Sequence, residues 1–261
     1  AELGQRDGAM QQLRLGAIDV ANFNITPLNN LVPETQVLTL PFIFRDVGHS
    51  HRVVDGAVGD AIAREIEAKL NMVVVSWFDA GARSVYTRNR AIRTPEDMRG
   101  LKIRVQTSDL FIDLMRALGA NPVPLPFGEL YTALQTGVVD GAENNWPSFE
   151  SQRHYEHARH YSTTEHSNVP EIVVVNKQRW DRLSAADKEI VRTAAREASA
   201  LQRQLWAERE KQSRERVIAA GVTVTDIQDR TPFSRLMEPI YAKYAGAANL
   251  KALVDQIRAT Q

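Results

Sequence analysis

Apolar positions recur along the chain with two periods. Between His51 and Leu70, Val54, Val58, Ile62 and Ile66 fall every fourth residue, which predicts one amphipathic helix over that span. Met72 to Phe78 is a short run, apolar but for Ser76, and predicts a buried strand, and Ser84 to Thr87 predicts another. Leu101, Ile103 and Val105 alternate with Lys102 and Arg104, so the apolar residues face one side of a strand and the cations the other. Residues 121–144 then read as strand, helix, turn, strand. Leu130 and Leu134 share a helix face, Gly137 stops that helix, and Val138-Val139 restart a strand ending in Glu143-Asn144.

Punctuation supports the periodicity. Met10, Leu13 and Leu15 predict a first helix closed by Gly16, followed by a strand from Ile18 to Ala21. Val37 to Phe44 is an apolar run broken by Pro41. Thr94-Pro95-Glu96-Asp97 has the form of a capping box, with Gly100 ending its short helix. A helix from Ser108 to Leu118 ends at Gly119. Glu171 to Val175 predicts a strand. A second capping box at Ser184 to Asp187 opens the longest helix, reaching about Ala220, with Ile190, Ala194, Ala198, Leu201 and Leu205 as its expected inner stripe. Val222 to Val224 and two further helices complete the chain. Strands alternating with helices give an α/β architecture.

Composition narrows the function. The 261 residues are 43% hydrophobic and 25% charged, enough for a sizeable core and two lobes. The formal net charge is zero, which argues against nucleic acid or an anionic membrane as partner. No apolar run approaches the roughly 20 residues of a membrane helix, so direct membrane insertion is not expected. Cysteine is absent, which removes disulfides and thiolate chemistry and is compatible with an oxidising compartment.

Candidate chemistry concentrates at strand ends. Arg104 stands near the carboxyl end of a strand, just before a helix N-terminus at Ser108. A guanidinium there can grip a carboxylate with two parallel hydrogen bonds, or it can form a surface or inter-lobe salt bridge. Glu143 and Asn144 end another strand, where ligands sit in α/β folds. Glu143 is expected to orient a neighbouring arginine by ion pairing. Glu143 and Glu150 could be imagined as a glycosidase pair, but acids this close in sequence carry little information. Trp146 could stack on a sugar ring or pack within a lobe. His154, His157 and His160 lack a zinc-site pattern, and a solvated helix face is expected for them. There is no nucleophile elbow, phosphate loop or complete dinucleotide fingerprint.

Residues 121–144 as a block strongly resemble a signature of the extracytoplasmic solute receptors that feed TRAP transporters. Leu40 to Arg45, Arg90 to Val105 and Thr164-Glu165-His166 fit as well, so the resemblance spans almost the whole chain. It implies a two-lobed, periplasmic-binding-protein-like Venus flytrap with a long lobe-spanning helix. Residues 1–81 and 170–209 would form lobe I, and 82–169 and 210–261 lobe II. An opening strand and helix that precede Leu3-Gly4 in that family would be missing. Gly100 to Val105 matches the segment whose arginine clamps the ligand carboxylate, here Arg104. Gly81-Ala82-Arg83 matches a second arginine, Glu143-Asn144 a ligand-binding asparagine, and Phe127 a pocket aromatic. Asn24 and Arg6 fall on less constrained positions. Sialic-acid receptors usually carry Asn-Pro where Asn145-Trp146-Pro147 stands here. The resemblance implies a periplasmic receptor, acting as a monomer without metal or cofactor, that hands an organic acid to the transporter's membrane subunits. Two arginines and two asparagines favour a hydroxylated acid such as D-galacturonate or D-glucuronate. A C4-dicarboxylate or other small acid is the rival ligand, and a sugar-acid-processing enzyme the rival class.

Overall fold

The computed structural model of the protein describes residues 6–261, with side-chain environments from residue 8. The strands are β1 (Val20–Asn24), β2 (Met72–Phe78), β3 (Ala82–Thr87), β4 (Lys102–Val105), β5 (Asn121–Pro124), β6 (Gly141–Asn144), β7 (His160–Asn168), β8 (Glu171–Asn176) and β9 (Thr223–Thr225). They form a three-stranded sheet in the order β1-β8-β2 and a six-stranded sheet in the order β5-β4-β6-β3-β7-β9. The first is antiparallel throughout. In the second, β4 runs parallel to both β5 and β6, whereas β3 is antiparallel to β6 and β7. The chain crosses between sheets after β2 and again between β7 and β8.

The helices are α1 (Arg6–Arg14), α2 (Val47–Val54), α3 (Ala57–Leu70), α4 (Asp109–Ala117), α5 (Leu130–Thr136), α6 (Trp146–Ser151), α7 (Lys177–Arg182), α8 (Ala185–Ala219), α9 (Thr231–Ser234), α10 (Glu238–Tyr244) and α11 (Ala248–Ala259). The single helix expected from His51 to Leu70 is two. Asp46 accepts from the His49 amide and starts α2 four residues early, and Gly56 caps a new helix after a break at Asp55. The Thr94–Asp97 capping box forms over a 3-10 turn, and Ser184 caps α8 by accepting from the Asp187 amide at 3.1 Å. Gly137 ends α5 with φ +76°, a conformation that favours glycine.

The stripe expected to face inward from α8 faces out: Ile190, Leu201 and Leu205 are 66%, 56% and 61% exposed. The cause is the partner surface. β2 is an edge strand, and its continuation presents unpaired backbone groups that ask for polar partners. Ser199 donates to the Trp77 carbonyl at 2.6 Å. Gln202 bonds both the amide and the carbonyl of Asp79, at 2.9 and 2.8 Å. Ser76 returns a bond to the Ala195 carbonyl at 3.0 Å. Further along, α8 leaves the first sheet and packs against α6, burying Val217 in the core beneath the second. It therefore spans both lobes. α11 packs on the 33–38 turn and α3, and the Ile257 carbonyl lies 2.9 Å from His49 Nε2. Its apolar face, with Val254 and Ile257 buried, joins the core shared by the first sheet's helices and α4.

Candidate functional site

The site forms where the two sheets meet at the strand crossings. Antiparallel pairing sets the start of β3 beside the end of β6, with Ser84 opposite Asn144. Arg83 thereby reaches its neighbour strand. Its Nε and Nη2 donate to the Glu143 carboxylate at 2.5 and 2.8 Å, and Nη1 donates to Asn144 Oδ1 at 2.9 Å. Both members of this fork are buried, Arg83 3% exposed and Glu143 fully enclosed. His166 stands 3.4 Å from the same carboxylate. Burial alone would push the Glu143 carboxyl up, but the Arg83 charge and the His166 contact overcome it and hold it at about 2. Glu143 is thus a fixed anion that orients Arg83. A carboxyl held that low cannot serve as a general acid near neutrality, and Glu150 is ion-paired with Arg209 instead. Both carboxylates of the imagined glycosidase pair are thus held by arginines.

Arg104 comes from β4, whose carboxyl end lies beside that of β6. Its Nε and Nη2 donate to the Leu125 carbonyl at 2.9 and 2.7 Å, and its guanidinium lies 5.7 Å from the centre of the Phe127 ring. Behind it, His154 shares a 2.9 Å bond with the Tyr86 hydroxyl. Burial, and then the nearby Arg104 charge, push the His154 imidazole down to about 3, so it is neutral and adds no repulsion. The Asn144 amide is oriented by its Oδ1, which accepts from Arg83 and from the Asn145 amide. That leaves its Nδ2 end to donate to a ligand oxygen.

Asn24, Arg83, Arg104, Phe127 and Asn144 line one cleft, with about 670 Å³ of space including open solvent. Trp146 is not among the lining residues. Its ring stacks on Tyr161 at 3.5 Å, and Arg214 lies 5.6 Å over it, the arrangement of the lobe-packing alternative. The local reason is that Asn145 caps α6 through Ser148 and ties its own amide to the Ala80 carbonyl. The chain turns there, and Trp146 is carried toward α8. The side chain of Arg6 lies outside the described residues. His154 is 1% exposed rather than part of a solvated helix face, because residues 154–156 form a 3-10 turn and His160 starts β7. Glu171, Gln106 and Ser148 also line the cleft and were not anticipated. Glu171 had one visible signal, an acid opening a strand directly after Pro170.

The bacterial extracellular solute-binding protein, family 7 model matches residues 1–247 of this sequence. The chain belongs to that family. A solute-binding protein from Chromohalobacter salexigens is 42% identical over 262 residues, covering 100% of this chain and 78% of that one. The crystal structure of a TRAP periplasmic solute-binding protein from a Bradyrhizobium species, in complex with D-galacturonate, superposes with a TM-score of 0.96 at 48% identity, covering 99% of this chain and 86% of that one. A counterpart from Roseobacter denitrificans with bound β-D-glucuronate gives 0.96 at 46%, with the same coverage. Family 7 proteins are solute receptors, and no described helix here is long and apolar enough to cross a membrane.

Proposed function

We propose that the protein is a periplasmic receptor for a hexuronic acid, D-galacturonate or D-glucuronate. It captures the acid between its lobes and releases it to the membrane subunits of a TRAP transporter. The observation that carries this is the convergence of Arg83, Arg104 and Asn144 at one end of the second sheet, with Asn24 contributed by the first. A ligand touching both sets of residues holds the lobes together, so binding energy becomes closure. The uronates in the two related crystal structures support the same ligand class. Function here is affinity followed by release. The protein acts as a monomer, needs no cofactor and returns its ligand unchanged.

In this reading Arg104 clamps the carboxylate, Asn144 donates to one of its oxygens or to a hydroxyl, and Phe127 covers an apolar edge. Residues 1–81 and 170–209 belong to the first lobe and 82–169 to the second. The segment after 210 serves both, since α11 returns to the first lobe. Titration calorimetry with D-galacturonate tests the proposal. Arg104→Ala should weaken binding by roughly 2–5 kcal/mol, and Arg104→Lys should restore only part, because a lysine lacks the planar fork. Wild-type affinity in both variants refutes the clamp.

A further inference from the structure

We infer that Gln106 reads a ring hydroxyl of the ligand: its side-chain oxygen accepts the hydroxyl's proton and so favours hydroxylated acids over bare ones. The inference rests on the preceding reading that the ligand is a hexuronic acid.

Gln106 directly follows β4. It lines the cleft together with Arg104, while Val105 between them turns into the core. Only 8% of it is exposed. Its Nε2 donates to the Thr26 hydroxyl at 3.4 Å, a bond that runs from the end of a strand in the second sheet to the end of one in the first. A second bond ties the same two segments, from Asn29 Nδ2 to Ser108 Oγ at 3.2 Å, and so fixes the loop that carries Gln106. With Nε2 turned to Thr26, the amide oxygen is the end left for a ligand; among the described residues it accepts no hydrogen bond.

The asparagines among the described lining residues are committed the opposite way. Asn24 Oδ1 accepts from the Thr26 amide at 3.1 Å, and Asn145 Oδ1 from the Ser148 amide at 2.8 Å. Asn144 Oδ1 accepts from Arg83 and from the Asn145 amide, both at 2.9 Å. Asn24 and Asn144 therefore present Nδ2 donors, which suit a carboxylate that only accepts. A ring hydroxyl also carries a proton of its own, and that proton needs an acceptor once closure excludes water. Gln106 Oε1 supplies a neutral one beside the arginine wall, so it meets the hydroxyl without repelling the ligand's charge. The Thr107 and Ser148 hydroxyls and the Glu171 carboxylate line the same cleft and can accept as well. A cycle of ligand and protein deletions separates Gln106 from them, because deleting a partner silences the loss of the group it bonds.

The test uses whichever of D-galacturonate and D-glucuronate binds more tightly, with its 1-, 2-, 3- and 4-deoxy analogues. Dissociation constants would be measured calorimetrically at pH 7.5 for the wild type, Gln106→Leu and Gln106→Glu, and each analogue's constant divided by that of the parent acid. Gln106→Leu should weaken the parent about 3- to 10-fold, and for one analogue the ratio should fall by the same factor, the range for losing one neutral hydrogen bond. Gln106→Glu keeps an acceptor and discards the donor. Its added charge acts alike on the parent and every analogue, so that same ratio should be kept or grow, since charge-assisted bonds are about twice as strong. If every ratio survives in Gln106→Leu, the residue only holds the lobes, and the inference is overturned while the receptor function stands. A ratio that falls in Gln106→Glu means that the amide donates to the ligand, and also overturns it; this second variant decides the matter even if the leucine variant fails to fold. A wild type that binds neither hexuronate refutes the proposed function, and this inference with it.

Discussion

Replacing Glu143 by glutamine keeps the shape of the side chain and removes its charge, leaving the Arg83 guanidinium enclosed without its counter-ion. Two routes to the cost agree. The gap between an ordinary carboxyl near 4.5 and the folded value of about 2 corresponds, at about 1.4 kcal/mol per pH unit, to about 3 kcal/mol. Removing one partner of a buried ion pair costs roughly 3–5 kcal/mol. For a chain of this size, that range lowers the melting temperature by roughly 6–20 °C. The sign of the pH dependence follows from the depressed carboxyl. Its stabilisation is fully present above about 4.5 and is lost as pH falls toward about 2. Urea titrations of both proteins between pH 7 and 3 would measure this. At pH 7 the variant should be weaker by about 3 kcal/mol, and by about pH 3 more than half of that difference should have vanished. A saturating uronate should narrow the gap at pH 7, because its carboxylate partly replaces the missing anion. A variant within about 0.5 kcal/mol of wild type at pH 7, or a difference that persists to pH 3, would refute the electrostatic account.

Two further outcomes follow from the geometry. Trp146→Ala should cost roughly 2–4 kcal/mol of stability by emptying the stack on Tyr161, while changing uronate affinity by less than about threefold; a tenfold loss of affinity at unchanged stability would return the tryptophan to the binding site. Burial, and then the charges of Asp79 and Glu165, push the Glu210 carboxyl on α8 up to about 8, so folding is penalised increasingly as pH rises from about 4.5 toward 8. Glu210→Gln should therefore raise the urea midpoint at pH 8 and scarcely at pH 5, and equal effects at both would contradict that origin.

The sequence made some of this legible and hid the rest for identifiable reasons. Arg104, Glu143 and Asn144 stood out because polar groups at strand ends have no packing role to explain them. The block resemblance added Arg83 and Phe127. Glu171 was hidden because its place in the cleft lining comes from pairing with Asn24, 147 positions earlier in the chain. Trp146 misled because adjacency in sequence suggested adjacency in the site, whereas the capped start of α6 turns Asn145 and Trp146 in different directions. The faces of α8 were inverted because hydrophobic periodicity assumes that the buried side is apolar. Here the helix lies on the rim of a sheet, and the rim presents amides and carbonyls. The same assumption read His51 to Leu70 as one helix, since the four-residue spacing runs through the break at Asp55-Gly56 unaltered.

At Gly81, φ is +67°, and a β-carbon would sit 1.9 Å from a Glu210 oxygen and 3.0 Å from Trp206 Nε1. The long helix thus presses directly on the strand crossing. The seam between β2 and α8 runs largely from helix side chains to strand main chain, through Ser199 and Gln202. Main-chain groups are common to every residue type. Substitutions along the outer positions of β2 therefore leave the main-chain side of this attachment available, whereas a single change at Ser199 or Gln202 removes a bond outright. Over evolutionary time the two sides of the seam should diverge at different speeds, with the helix side chains changing slowly and the strand positions they hold drifting faster.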